Sequence, residues 1–124
     1  MTIRLVIIGK VTPSQNVRDR RHFGARKRDR AEWAAELLYA MRKQNLTPAD
    51  CKATGRRRLT IERYENGQGL DYGNLVGGMK DLIDEIVRHG LLIDDSPKYC
   101  EEVAKQWKPA SGARKHLIIT LEDL

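Results

Sequence analysis

Five of the chain's nine aspartates fall between residues 71 and 95. Asp71, Asp84, Asp94 and Asp95 stand at the ends of expected elements or beside an apolar face, and Lys80 lies among them. Carboxylates gathered by rigid structure repel one another, and a hard cation that takes oxygen ligands relieves that repulsion. Cation binding is therefore the chemistry to test for here. The simpler reading of an acidic residue is solvation, and Asp81 and Glu85 are read that way, as exposed side chains.

The elements that must position this set follow from the spacing. Gly77 and Gly78 would each cost about 1 kcal/mol inside a helix relative to Ala, so a regular helix is expected from near Met79. Gly90 is its expected stop. Leu75, Met79, Leu82, Ile83 and Ile86 recur at helical spacing as one buried stripe. Lys80 and Asp84 are i,i+4 neighbours beside it. Leu91, Leu92 and Ile93 form a short apolar run from whose end Asp94 and Asp95 emerge.

The pattern Asp71-x-x-Asn74-Leu75, Gly77-Gly78-x-Lys80, Asp84, Gly90 and Asp94-Asp95-Ser96-Pro97 resembles the RusA family of Holliday junction resolvases, in particular its phage-type members. The likeness covers residues 70–97, and Pro13-Ser14-Gln15-Asn16 is similar to the loop that follows the family's first strand. The resemblance implies a metal-dependent endodeoxyribonuclease that resolves branched DNA in recombination and repair. It implies catalytic roles for Asp71, Lys80 and Asp95, and Mg2+, or Mn2+ in its place, held by Asp71 and Asp95 with Asp94 or Asp84. It also implies a homodimer and a cytoplasmic protein of bacterial or phage origin, with no membrane partner and no small-molecule cofactor. One departure stands out: Gly73 occupies the place of the family's second motif aspartate. In an extended segment Asp71 and residue 73 would point to the same side, so Gly73 removes one oxygen ligand. A junction-binding protein of the same fold that does not cut is the alternative this glycine keeps open.

At 124 residues, one domain over residues 1–124 is the simplest organisation. The formal net charge of +6 suits a polyanionic partner. No apolar run approaches the ~20 residues that span a bilayer. Cys51 and Cys100 are far apart and form no metal-binding pair, so a reducing compartment is expected. His22, His89 and His116 are scattered and read as structural or surface residues. Basic charge concentrates in two runs. Residues 18–30 hold little that can bury itself, so a mobile arm over about 17–29 is expected, with Arg18, Arg20, Arg21, Arg26, Lys27 and Arg28 tracking phosphates. Arg56, Arg57 and Arg58 form the second patch. Side chains on a strand alternate faces, so at most two of them can meet one phosphate track.

The remaining pattern gives an α+β fold, a mixed sheet of about four strands with two main helices. A strand at 2–9, apolar on both faces, is expected to be central. Asp29 and Glu32 have the spacing of a capping box and open a helix to about Gln44, with Trp33 in the core. Strands follow at 59–64 and 116–121. Tyr99, Val103 and Trp107 fit a helix face and a strand face equally, and the resemblance favours a strand.

Overall fold

The computed structural model describes residues 1–124. Its elements are β1 (Thr2–Ile8), α1 (Gln15–Arg20), α2 (Phe23–Arg42), β2 (Arg57–Tyr64), α3 (Tyr72–Gly77), α4 (Lys80–Arg88), β3 (Cys100–Trp107) and β4 (His116–Asp123). The four strands form one sheet in the order β1-β4-β2-β3. β4 runs antiparallel to both its neighbours, and β2 and β3 are parallel, so the sheet is mixed and the fold is α+β. The parallel pair needs a long crossover, and α3 and α4 supply it.

Strand alternation decides where the core sits. Ile3, Leu5 and Ile7 of β1, Leu117, Ile119 and Leu121 of β4, and Leu59 and Ile61 of β2 all point to one face and are buried. Trp33, Leu37 and Met41 of α2 and Leu82 and Ile86 of α4 cover them in a single cluster. Each such side chain contributes about 1.5–3 kcal/mol through removal from water. Cys51 and Cys100 are free thiols buried in this core. Residues 100–107 are a strand, as the resemblance favoured, because their register with β2 pairs Arg57 with Cys100 through Tyr64 with Trp107. No helix is long and apolar enough to cross a membrane.

Several expectations are corrected. β1 is an edge strand, paired only with β4. Its second apolar face does not mean burial on both sides: Ile8 is exposed on the face of the sheet that no helix covers. The arm expected at 17–29 is helical. Ser14 caps α1 through the Val17 amide, and His22 caps α2 through the Gly24 amide. Arg, Lys and Ala are strong helix formers, and local ion pairs neutralise part of the crowded charge. Asp29 therefore does not open α2; it lies within the helix, where both its oxygens accept from Arg21 at 2.8 and 3.0 Å. Asp81 and Glu85, expected in solvent, are 4% and 3% exposed, because α4 presents this side to α2. The two main helices expected are α2 and α4, and the short α1 and α3 stand beside them.

Candidate functional site

The glycine-rich stretch is built around Asp71. The Gln106 side chain on β3 brackets Leu70 on both sides, its Oε1 accepting from the Leu70 amide at 2.9 Å and its Nε2 donating to the Leu70 carbonyl at 2.6 Å. This fixes the entry to α3. Asp71 then caps α3: its carboxylate accepts from the Asn74 amide and the Asn74 Nδ2, both at 2.9 Å. Those donors hold its carboxyl below the usual carboxylate range, the Asn74 backbone amide foremost and the Asn74 side chain next. The Asn74 Oδ1 in turn accepts from the Asn16 amide at 3.1 Å, which ties α3 to the start of α1.

The two adjacent glycines have a steric explanation. Gly78 is buried against the Pro13 carbonyl, so close that a Cβ would overlap its oxygen, and Gly77 lies against the Gln15 side chain. The Pro13–Asn16 loop therefore docks on the junction between α3 and α4, and that docking needs glycine. Gly73 differs from both. It sits in the first turn of α3, not in an extended segment, and a Cβ there would meet only Asp71 Oδ1 at 3.6 Å. The expected alternation of residues 71 and 73 toward one side is thus replaced by helical geometry.

At the far end of α3 the chain opens a cleft of about 260 Å3 lined by Gln15, Arg18, Lys80, Asp95 and Glu102, with Val76, Gly77 and Ile83 as its apolar part. Lys80 starts α4 with its ammonium about half exposed, 3.4 Å from Asp84 Oδ1. Glu102 stands on the helix-side face of the edge strand β3. Partial burial pushes its carboxyl up and the charge of Asp95 adds to this, while Lys80 works against both. The cleft therefore presents two mutually repelling carboxylates, with Lys80 and the Asp81-paired Arg18 as its cations. Glu102 was missed in the sequence because nothing but its place on β3, in register with Leu59, brings it to the cleft.

Asp94 and Asp95 leave a turn held from beneath. Gly90 ends α4 with φ 83°. The Arg57 guanidinium donates to the Leu91 carbonyl at 2.9 Å and the Cys51 carbonyl at 2.6 Å, and Arg56 donates to the Pro97 carbonyl at 3.1 Å. The Ser96 hydroxyl and the Asp95 amide hold the Asp94 carboxyl below its ordinary value.

The structure thus gathers Lys80 and Asp95 with Glu102 at the cleft, and leaves Asp84 beside Lys80 on α4. It leaves Asp71 at the other end of α3, about 9 Å along a helix of six residues. No three His, Cys, Asp or Glu side chains come together as a metal-binding group. The donor set instead suits Mg2+, which keeps most of its water and takes one or two carboxylates plus substrate phosphate.

The proposed phosphate contacts divide in the same way. Arg57 is 2% exposed and bound to Asp123 at 2.8 Å, so it is a structural residue and not a DNA contact. Arg18 is 9% exposed and bound to Asp81 at 3.2 Å, although its side chain borders the cleft. Arg21 is paired with Asp29, and Arg58 with Glu101 and Glu122. Arg20, Lys27, Arg28 and Arg56 remain exposed, and Arg26 is half-buried. No family model matches the chain, and no curated protein matches it.

Proposed function

We propose that the chain is a divalent-metal-dependent endonuclease that hydrolyses phosphodiester bonds in branched DNA, as its likeness to the RusA family implies. The observation that carries this reading is the cleft that holds Lys80 and Asp95, both from the motif in residues 70–97, together with Glu102. Asp95 and Glu102 would hold the cation, which supplies charge to the scissile phosphate when bound. Lys80, solvent-accessible at the cleft, offsets the negative charge that builds on the phosphate oxygens. Asp71 keeps the α3 end rigid and binds Asn74, so its role here is positioning. The open sheet face, with Ile8 and Trp107 exposed, supports pairing of two copies, each bringing one cleft to a two-fold junction. Buried free thiols suit a reducing cytoplasm.

A junction-binding protein that does not cut is the second reading. It is favoured by Gly73, which carries no carboxylate, and by the commitment of Asp71 to Asn74. A synthetic four-way junction incubated with Mg2+, Mn2+ or EDTA separates the two. The nuclease reading expects metal-dependent cutting, and expects Asp95→Asn to bind the junction while losing at least ~100-fold in cleavage rate. Binding without cutting in either metal supports the second reading, and failure to bind the junction sinks both.

A further inference from the structure

A second and larger depression, of about 410 Å3, runs between α2 and α4. Lys27, Arg30, Ala31 and Ala34 recur at i, i+3, i+4 and i+7 and form one stripe along α2. Glu85, Arg88 and His89 face them from the end of α4. The two alanines keep the floor low between long basic side chains. Lys27 and Arg30 make no ion pair, and Arg88, 77% exposed, reaches Glu85 only at 3.8 Å. His89 Nε2 is buried there 3.5 Å from Glu85 Oε2, without a well-formed hydrogen bond. The lining therefore sets three cations against one carboxylate. The pocket lined by Lys10, Arg18 and Arg21 is unlike it, because there each cation has a carboxylate of its own in Glu32, Asp81 or Asp29.

The groove and the cleft both lie along α4. Lys80, Asp84 and Arg88 are spaced by four residues, so they wind around α4 by about 40° and advance about 6 Å per step. Arg88 thus lies about 12 Å along the axis from Lys80, which is three to four base steps of duplex at about 3.4 Å each. Cations spread along an open groove suit a polymer of phosphates better than a single anion, which needs donors converging on one point. We infer that this groove carries the phosphodiester backbone of DNA a few base steps away from the cleft, with Lys27, Arg30 and Arg88 as its phosphate contacts. The identity of the polymer rests on the reading of the cleft given above.

The test measures binding without divalent cation, so that no cutting is needed. Affinity for a four-way junction is followed against salt for the intact chain, for Arg30→Ala with Arg88→Ala, and for Lys43→Ala with Lys115→Ala as a control of equal charge. Loss of two phosphate contacts lowers the slope of log K against log salt by about 1.8 in the groove variant, and the control changes it by less than about 0.5. The His89 ring resonances shift when junction is added to the intact protein and stay still in the groove variant. Equal slopes for the two variants, or a His89 ring that ignores the DNA, would overturn the proposal. So would inorganic phosphate moving His89 as much as junction DNA does at the same phosphate concentration, since the groove would then be a single-anion site. Cutting with an unchanged slope defeats the groove and leaves the nuclease reading intact. Binding through the groove without cutting does the reverse, and no binding by the intact chain overturns both.

Discussion

Arg18→Met separates a structural arginine from a DNA-binding one. The guanidinium lies 3.2 Å from Asp81, and the two side chains are 11% and 6% exposed. At an effective dielectric near 20, a pair at this 3.2 Å distance attracts by about 5 kcal/mol, most of which offsets the desolvation of both ions. Removing the arginine leaves the Asp81 carboxylate buried beneath α1 with no countercharge, and breaking such a pair costs about 3–5 kcal/mol. The second partner, Asp19, is half exposed and returns to water at little cost. For a domain of this length each kcal/mol moves the midpoint by about 3–5 °C, so Tm should fall by about 10–25 °C. Adding Asp81→Leu removes the stranded charge and should restore most of the loss. Thermal and urea melts of the two single variants and the double variant give the coupling directly. A Tm within about 2 °C of the parent in Arg18→Met, together with weakened DNA binding, would refute the argument and return residues 17–21 to a mobile, DNA-facing role.

Two glycines in one stretch should respond in opposite ways. Gly78→Ala drives a Cβ into the Pro13 carbonyl and should cost more than about 2 kcal/mol, whereas Gly73→Ala meets only ordinary contacts and should stabilise α3 by about 0.5–1 kcal/mol; melts in the reverse order would contradict the docking of the Pro13–Asn16 loop. Acid sensitivity should come from Asp71, Asp94 and Asp123, whose carboxyls are all depressed by hydrogen bonds, that of Asp123 chiefly by Arg57. Because the folded values lie below the unfolded ones, the stabilisation is complete above the ordinary range near 4 and fades as pH falls through the folded values. Tm from pH 6 to 2.5 should fall less steeply in Asp71→Asn with Asp123→Asn, and an unchanged acid limb would rule these carboxylates out as its source.

Where one periodicity dominated, the fold was legible. The stripe of Met79, Leu82, Ile83 and Ile86 gave α4 its buried face, and the alternation in 116–121 gave β4. Long-range pairing was not legible. Val6 and Ile8 look like the second face of a central strand, yet β1 lies at the edge, because sheet order depends on crossovers that no local pattern encodes. Residues 17–29 misled for a related reason. Their charge density looks unburiable until Asp81 and Asp29 are in place, one of them 63 positions from Arg18 and the other eight from Arg21. Arg18 reads as solvated because its partner lies far along the chain, whereas the pairing of Arg21 with Asp29 needs the helix to bring the two together.

The candidate site was legible only in part for a similar cause. Motif spacing put Asp71, Lys80 and Asp95 in one set, but spacing along a chain fixes distance only when the conformation between the residues is known. Six helical residues separate Asp71 from the Gly77 end of α3, where the cleft begins, and the Asp71 carboxylate is occupied with the first turn. Glu102, invisible to the motif, arrives from β3 because the parallel register with β2 lays that strand alongside the cleft. The carboxylate absent at Gly73 and the one gained at Glu102 come from different elements, so the two could not be matched by aligning a motif. Arg18 borders the cleft but is paired with Asp81, so the charge balance of the cleft is set by Lys80 against Asp95 and Glu102.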